Sequence, residues 1–271
     1  MRVMDWLEII QECSTRMGKE ALTFYGSPEA AISFGVGAGG DPMKKIDLAA
    51  EKALIDCLTE HEISCTLVSE ESGTKKIGSQ PSEYYVTTDP VDGTTNAVRG
   101  LPFSANVIAV SKGPYLQDVE TALVSDLFHN ITYTAQKNRG ALRNEEKIKP
   151  SETVSLQKAV IGIDYNTFKF KELVTKLEGL FKTAKHFRHF GANALEICYV
   201  ADGSTDAFID IRGKLRVTDL VASYLILREA GGIMLTPEGD EPNVPLAPTQ
   251  RLSFIAASNK TIYEAIKESL T

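Results

Sequence analysis

The stretch Asp89–Asn96, which reads DPVDGTTN, constrains this chain more than any other. It follows Tyr84–Thr88, which is rich in aromatic and β-branched residues and is therefore expected to form a strand. Pro90 lacks an N–H group and has a fixed φ, so the strand should end there. Asp92 and the glycine after it should then turn the chain into a short segment. Both aspartates would lie at the end of one strand, on the same side.

Two carboxylates beside the start of a short helical segment favour a site for a metal ion and a phosphate group. Hard divalent cations prefer oxygen ligands. The N–H groups of Gly93 and Thr94 would be free to bind phosphate oxygens. Asp-Pro and Asp-Gly are also ordinary turn dipeptides, so the stretch alone leaves a plain turn equally open.

Length and charge limit the class of protein. The chain has 271 residues, 43% hydrophobic and 24% charged, which is typical of a soluble globular protein of one large domain or two lobes. We expect two lobes, residues 1–150 and 151–271. The net charge of −7 argues against a general binder of nucleic acid or membrane surfaces, and an anionic substrate would need local cations.

The N-terminus and the cysteines indicate a cytoplasmic protein. Met1–Glu8 carries acids where a signal peptide needs an apolar core, and no apolar run reaches transmembrane length. The four cysteines have no CxxC pair, and their spacing favours buried thiols over zinc ligands or disulfides. They are Cys13, Cys57, Cys65 and Cys198.

The first half reads as helices followed by strands. Apolar residues at three- and four-residue spacing predict one helix from Met4 to Phe24 and a second from about Ile46 to Glu60. Between them, Gly35–Pro42 is rich in glycine and should form a mobile loop. It lacks a GxGxxG pattern, which disfavours a dinucleotide site. A strand Cys65–Val68 and a cluster of later strands, including a hairpin over 119–136, complete an α+β lobe.

The second half alternates strands and helices. Helices are predicted over 168–182, 192–201, 216–231 and 260–270, with strands between them, as in an α/β lobe. No linker-like composition separates the halves, so we expect two closely packed lobes with a cleft between them. The fold class is therefore α+β followed by α/β.

Three further acids lie at the ends of predicted elements. Glu70 directly follows a strand, whereas Asp47 and Asp219 each lie in the first turn of a helix. A solvated turn or a favourable interaction with the helix dipole explains each of them when taken alone. Taken together, the order of these acids along the chain matches a known set of sequence motifs.

Ser69–Ser72, Asp89–Asn96 and Asp219–Ser223, the last followed by Glu229–Gly232, closely resemble the three signatures of the inositol monophosphatase family. The resemblance extends over nearly the whole chain. It implies the sugar-phosphatase fold, a layered αβαβα sandwich with the active site in the cleft between the lobes. It also implies a Mg²⁺-dependent phosphomonoesterase with two or three Mg²⁺ ions per site, usually a homodimer.

The family motifs also imply roles for individual residues. The metal ligands would be Glu70, Asp89, Asp92, Asp219 and the backbone carbonyl of Val91. Glu70 and Thr94 would orient the attacking water, and Asp47 matches a family acid near the site. Gly93 and Thr94 would hold phosphate oxygens.

Two positions depart from the family pattern. Archaeal members often have an acid where this chain has Gly39, and Asp41 is the candidate to replace it. Thr218 stands where many members have tryptophan, within the basic run Arg212–Asp219. That run resembles the archaeal branch, whose members commonly hydrolyse both inositol monophosphate and fructose 1,6-bisphosphate.

Substrate selection is expected from the second lobe. Asp210 matches a family position that receives sugar hydroxyls, and Ala192 lies in a segment that lines the ring. Lys185 and Arg188 belong to a basic cluster that could meet a second phosphate, although an exposed edge strand often carries charge for solubility alone.

The expected partner is therefore a small sugar or cyclitol phosphate, with no nucleic acid and no membrane. Two alternatives stay open. One is a 3′(2′),5′-bisphosphate nucleotidase, and the other is a catalytically silent, phosphate-binding regulatory protein of the same fold.

Overall fold

The outermost layer consists of two long helices that the sequence predicts. A computed structural model of the chain describes residues 5–270, so Met4 and the residues before it lie outside the described part. Helix α1 (Trp6–Phe24) begins where the Asp5 side chain accepts a hydrogen bond from the N–H of Leu7. Helix α2 (Lys45–Glu60) packs against it. Their apolar faces bury Ile10, Met17, Leu54 and Leu58 against the first sheet.

Eight strands form the larger sheet, and the site depends on their order. From edge to edge they are β10 (Glu146–Lys147), β9 (Gly140–Arg143), β8 (Thr132–Gln136), β7 (Val119–Asp126), β6 (Ala105–Ser111), β5 (Tyr85–Asp92), β3 (Cys65–Ser69) and β4 (Gly73–Ile77). Every neighbouring pair is antiparallel except β3 and β5, which run parallel. Because β3 and β5 are parallel neighbours, their C-terminal ends lie side by side at the same end of the strands.

The middle layer is made of two buried helices, α6 (Asn193–Ala201) and α7 (Val217–Ala230). Ten or more consecutive residues of α7, from Val217 to Leu227, are buried. A helix that is apolar on every face has no side for solvent and must lie between two sheets. Both helices pack against the larger sheet on one side and the smaller sheet on the other.

The smaller sheet and its helices complete the molecule. Its strands, in spatial order, are β12 (His186–Arg188), β11 (Val160–Ile163), β13 (Ala207–Arg216), β15 (Arg251–Ala257) and β14 (Ile233–Leu235). The outer helices are α4 (Phe170–Lys176), α5 (Glu178–Thr183) and α8 (Lys260–Ser269). Leu180, Ile262 and Ile266 are among the residues that they bury against this sheet. The layers therefore follow the order αβαβα, which confirms the predicted fold class.

The predicted division near residue 150 falls between the two sheets. The last strand of the larger sheet ends at Lys147, and the first strand of the smaller sheet begins at Val160. The division into two lobes, 1–150 and 151–271, stays a prediction, because α6 and α7 belong to the later half yet pack on the larger sheet.

The structure corrects several predicted elements. The segment expected only as a loop is flanked by a small two-stranded sheet of β1 (Ser33–Val36) and β2 (Pro42–Lys44). The single helix predicted over 168–182 is broken at Leu177.

All four cysteines are buried and free, as their spacing predicts. Among the described residues, no helix is long and apolar enough to cross a membrane.

Short helical and loop segments connect these layers near the site. Helix α3 (Thr94–Arg99) directly follows β5, and two short 3₁₀ helices cover Pro28–Ala31 and Leu116–Asp118. The site described below lies where β3, β5 and α3 meet the N-termini of α2, α6 and α7.

Candidate active site

The parallel pairing of β3 and β5 places two acids side by side. Ser69 is paired with Thr88, so the next residues, Glu70 and Asp89, emerge from adjacent strands at the same level. Antiparallel neighbours would carry the two chains in opposite directions from this edge. The parallel register therefore explains why residues nineteen positions apart in sequence meet here.

The Asp89–Asn96 stretch then bends as its composition predicts. The pairing of β5 with β6 is irregular between Asp89 and Asp92, where Pro90 interrupts the ladder. Gly93 follows with a φ of +83°, and a Cβ there would lie 3.0 Å from the Ala192 Cβ. Only glycine combines this left-handed conformation with so close an approach. The turn brings helix α3 to the site with its first N–H groups unpaired within the helix.

The third acid comes from the other half of the chain. Asp219 lies in the first turn of α7 and accepts a hydrogen bond from the Thr218 hydroxyl at 2.9 Å. Carboxylate oxygens of Glu70, Asp89 and Asp219 all lie within 4.8 Å of one another. The structure thus assembles three of the predicted metal ligands into one cluster.

Burial makes this cluster electrostatically unfavourable without a cation. The side chains of Asp89 and Asp219 are almost fully buried. Burial first, and then repulsion from Asp219, raise the pKa of Glu70, while burial and the neighbouring Glu70 raise the pKa of Asp89. A bound divalent cation would remove both penalties, and oxygen donors are the ligands that hard cations prefer.

Asp92 and Val91 lie next to this cluster. The carboxylate of Asp92 accepts hydrogen bonds from the backbone N–H groups of Asn193 and Ala194, at 3.1 and 2.7 Å, and so caps helix α6. Burial and the charge of Asp219 raise the pKa of Asp92 despite these bonds. Asp92 therefore links the acids of the larger sheet to the segment that precedes α6.

Thr94 and Asp47 form a hydrogen-bonded pair. The Thr94 hydroxyl lies 3.1 Å from Asp47 Oδ1 and 2.9 Å from the backbone carbonyl of Val91. Asp47 is 2% exposed in the first turn of α2, and burial raises its pKa to about 7. A group that titrates near neutral pH, bonded to a hydroxyl beside the acids, can accept a proton there.

Arg216 supplies a positive charge inside the acidic cluster. Its guanidinium lies 2.8 Å from Glu70, 3.2 Å from Asp219 and 2.6 Å from Asp41. Burial opposes its charge, but Asp219, Glu70 and Asp89 together outweigh this effect and raise the pKa of Arg216. The side chain therefore remains charged and offsets part of the repulsion among the acids.

The glycine-rich loop lies over this arginine. The N–H of Gly39 bonds the Glu70 carbonyl at 2.8 Å, and Arg251 donates to the Gly39 carbonyl at 2.7 Å. A Cβ at Gly39 would lie 2.9 Å from the Glu70 side chain and 3.1 Å from Arg216. The loop can thus close over the site because position 39 has no side chain, and Asp41 pairs with Arg216.

These residues line one cavity of about 890 Å³. Its acidic lining comes mainly from the larger sheet, α2 and α7, and consists of Asp41, Asp47, Glu70, Glu71, Asp89, Asp92, Asp164 and Asp219. Its basic lining comes mainly from β13 and β15, and consists of Arg212, Lys214, Arg216 and Arg251, with Lys44 and His189. The cavity therefore offers acids that can hold cations and basic side chains that can bind an anionic group.

The predicted substrate residues lie behind or beside this cavity. Asp210 is fully buried, and Arg212 donates to both of its oxygens and also pairs with Asp164 at 2.6 Å. Lys185 and Arg188 are exposed. Neither they nor Ala192, which is buried behind Gly93, belong to the lining of the cavity. A direct contact of Asp210 with a sugar would require Arg212 to leave it, and these four assignments stay predictions.

Sequence reasoning missed the residues that form the basic lining. The run Arg212–Asp219 was noticed for its composition, but no role followed from it, and Arg251 carried no signal at all. Arg251 reaches the site only because β15 pairs with β13, which brings it opposite Arg216.

Comparison with known proteins identifies the family to which the chain belongs. Residues 6–271 match the model of the inositol monophosphatase family. The chain belongs to the inositol monophosphatase family. This agrees with the three signatures and with the αβαβα layers, and it makes the protein a member of a phosphatase family.

Individual relatives support the same family assignment. The fructose-1,6-bisphosphatase/inositol-1-monophosphatase of Methanothermobacter thermautotrophicus is 32% identical over 98% of this chain and 96% of that protein. The bifunctional NADP phosphatase/NAD kinase of Methanococcus maripaludis is 33% identical over 97% of this chain, which spans about half, 49%, of that protein. A crystal structure of an inositol monophosphatase–fructose 1,6-bisphosphatase matches with a TM-score of 0.87 and 33% identity, covering 98% of this chain and 100% of that one.

Members of this family are generally metal-dependent, and the residues of this chain fit that property. The acidic cluster offers oxygen ligands alone, which suits a hard divalent cation better than a soft one. The metal-ligand motif is complete in sequence, and its members lie together around the cavity.

Proposed function

We propose that this protein is a Mg²⁺-dependent phosphomonoesterase that hydrolyses inositol monophosphate and fructose 1,6-bisphosphate. The observation that carries the proposal is the cluster of Glu70, Asp89 and Asp219, whose ligand atoms lie within 4.8 Å of one another. Without a cation these buried acids would repel an incoming phosphate as well as one another. The complete set of motif residues favours catalysis over a silent, regulatory role.

The proposed metal ligands are Glu70, Asp89, Asp92, Asp219 and the Val91 carbonyl. When bound, Mg²⁺ supplies the positive charge that attracts the phosphate group and lowers the pKa of the attacking water. The number of ions follows from charge. Because Arg216 already provides one positive charge between Glu70 and Asp219, we expect two Mg²⁺ ions to suffice without a third.

The chain itself orients the reaction. Glu70 and the Thr94 hydroxyl hold the water, and the N–H groups of Gly93 and Thr94 hold phosphate oxygens. The hydroxyl of Thr94 already bonds Asp47, so a proton of the water can pass through it to the Asp47 carboxylate. No covalent enzyme intermediate is needed.

The basic lining of the cavity supports a substrate with a second anionic group. Lys214 and Arg251 belong to the lining of the same cavity as the acids, and Arg251 also bonds the carbonyl of Lys214 at 2.6 Å. Fructose 1,6-bisphosphate has a second phosphate that these cations could bind, whereas inositol monophosphate has none.

A nucleotide phosphatase is the second candidate. The relative named bifunctional NADP phosphatase/NAD kinase matches nearly the whole of this chain. Phe190 and Leu101 are exposed and belong to the lining of the cavity, where an apolar surface could contact a base. NADP and adenosine 3′,5′-bisphosphate are therefore the competing substrates.

A phosphate-release panel tests the proposal. Inositol 1-phosphate, fructose 1,6-bisphosphate, adenosine 3′,5′-bisphosphate and NADP are compared at matched concentrations, with Mg²⁺ or with EDTA. We expect the first two to be hydrolysed fastest, and only with Mg²⁺. Preference for NADP or the adenosine bisphosphate would establish the second candidate, and release from none of the four would contradict both.

The same proposal includes a homodimer, as the family resemblance implies, in the cytoplasm, as the N-terminal sequence indicates. Light scattering on the purified protein gives its mass directly. A mass near that of one chain, 29.6 kDa, would contradict the dimer.

A further inference from the structure

A second group of ligand-type side chains lies on the outer helical layer. Glu12 extends from α1, and Cys57 and His61 extend from the C-terminal end of α2. Asp47 stands ten residues before Cys57 on the same helix, so the group is about 15 Å from the active site at 1.5 Å per residue. None of its members contributes to the cavity described above.

The three side chains converge on one point. A carboxylate oxygen of Glu12, a ring nitrogen of His61 and the sulfur of Cys57 all lie within 4.8 Å of one another. The spacing of Cys57 and His61 by four residues puts both on one face of α2. Sequence spacing alone could not reveal the group, because the third member comes from another helix.

The distances suit a tetrahedral metal ion. His61 Nε2 lies 2.9 Å from Glu12 Oε2. Nitrogen and oxygen ligands of one tetrahedral Zn²⁺ lie about 3.3 Å apart, given bonds of about 2.0–2.1 Å. The metal could thus replace the shared proton of this hydrogen bond with a movement of about half an ångström. The Cys57 sulfur lies within 4.8 Å of both atoms, so it would need to approach by at most about 1 Å.

The surrounding charges leave the required atoms available. Arg16 bonds the other oxygen of Glu12, Oε1, and also Glu60, both at 2.6 Å. Oε2 of Glu12 therefore remains for a metal, while Glu60 continues to compensate Arg16. A Zn²⁺ ion with one carboxylate, one thiolate and one neutral imidazole has no net charge.

The third ligand, Cys57, has a second cysteine as its neighbour. Cys13 of α1 is buried beside Cys57. Burial raises the pKa of the Cys57 thiol, and the neighbouring Cys13 offsets only part of this effect. Metal binding displaces the remaining thiol proton.

We propose that Glu12, Cys57 and His61 form a binding site for Zn²⁺ that joins α1 to α2. The mixture of sulfur, nitrogen and oxygen ligands selects a borderline-soft cation over Mg²⁺. The C-terminus of α2, where His61 is the cap, also favours a positive charge. Water completes the tetrahedron.

Cobalt substitution tests this site without relying on activity. The reduced, metal-free protein is titrated with Co²⁺, and the thiolate-to-cobalt charge-transfer absorption is followed. We expect one equivalent to produce the band, a stoichiometric amount of Zn²⁺ to remove it, and a hundredfold excess of Mg²⁺ to leave it. The acids of the active site can bind Co²⁺ but cannot give this band, because they offer only oxygen.

Matched cysteine variants locate the band. Cys57→Ser should abolish it, and Cys198→Ser, at another buried cysteine, should keep it. His61→Gln lies at the exposed end of α2, so it should weaken Co²⁺ binding at least tenfold while the circular dichroism spectrum stays unchanged. Absence of the band in the wild type, or its persistence in Cys57→Ser or at full affinity in His61→Gln, would overturn the proposal.

Discussion

Thr94 is the residue whose hydroxyl connects the acidic cluster to Asp47. If it aims the water and passes its proton, Thr94→Ala should lower kcat by about 10²-fold or more and leave KM nearly unchanged. Thr94→Ser keeps the hydroxyl and should retain most of the activity. Steady-state phosphate release measures both, with Thr95→Ala as the neighbouring control. Full kcat in Thr94→Ala would show that the hydrogen bond to Asp47 is only structural.

Arg216 is the residue that offsets the acids before a metal binds. Arg216→Gln should lower the free energy of unfolding in EDTA by about 3 kcal/mol, because it leaves buried carboxylates unpaired. Added Mg²⁺ should then raise the Tm more in this variant than in the wild type. Arg251→Gln is the control, since Arg251 bonds two backbone carbonyls. An equal Mg²⁺-dependent rise in Tm in all three proteins would contradict the role of Arg216.

The roles of individual residues could be predicted from the sequence where the motif that contains them is short and continuous. The acids of Asp89–Asn96 could be recognised because the strand end and the turn lie within a few residues. The role of Arg216 could not, because it depends on the closed loop, on the missing side chain of Gly39 and on acids from three elements. Asp210 shows the opposite case, in which a motif match gave no information about the arginine that covers it.

The segment between β12 and α6 is the element that joins the two halves beside the site. The Glu196 carboxylate accepts hydrogen bonds from the N–H groups of Phe190 and Gly191, both at 3.0 Å. Asn96 holds the Phe190 carbonyl at 2.7 Å. Side chains of two separate helices, α3 and α6, therefore fix this segment, and its position depends on a buried acid.

The pH dependence of stability tests that acid. Burial raises the pKa of Glu196 from 4.5 to about 7, so the folded state binds its proton more tightly than the unfolded state does. The contribution of Glu196 to stability is therefore present below pH 4.5 and is lost as pH rises to 7. Glu196→Gln removes the titration, so its stability relative to the wild type should increase over this range by up to about 3 kcal/mol.

Urea unfolding in EDTA at several pH values measures this difference. Glu146→Gln, at an exposed position, is the control and should show no such trend. A constant difference between Glu196→Gln and the wild type from pH 4.5 to 7 would contradict the raised pKa.

The end of β13 is the element proposed to meet a second phosphate. Lys214→Gln should lower kcat/KM for fructose 1,6-bisphosphate about tenfold more than for inositol 1-phosphate, since a charge-assisted hydrogen bond contributes about 1.5 kcal/mol or more. Lys185→Gln removes the same charge from the exposed basic cluster near β12. Parallel kinetics on both substrates decide between them, and a selective loss only in Lys185→Gln would favour that cluster instead.

A long apolar helix was predicted well, whereas a short edge strand was not. The helix predicted over 216–231 is found at Val217–Ala230, because its residues are apolar on every face and glycines follow it. Strand β4 (Gly73–Ile77) was missed because it contains two lysines and lies at the sheet edge. Its pairing comes from β3 and not from its own composition.

The candidate active site lies between two sheets that come from different parts of the chain. The larger sheet supplies Glu70, Asp89 and Asp92, while the middle helix α7 supplies Asp219. The layer order and the cleft could be expected from the family motifs. The distribution of charge across the cavity could not, because it depends on the order of strands in the smaller sheet.

The measurement that most directly tests the central claim is Mg²⁺-dependent phosphate release by Asp89→Asn and Asp219→Asn, one change on each side of the split site. Each variant should lose at least about 10³-fold in kcat/KM. Each should fold normally, with a Tm in EDTA equal to or above that of the wild type, since a buried repulsion has been removed. Activity close to wild type in either folded variant would contradict a metal site built from both halves of the chain.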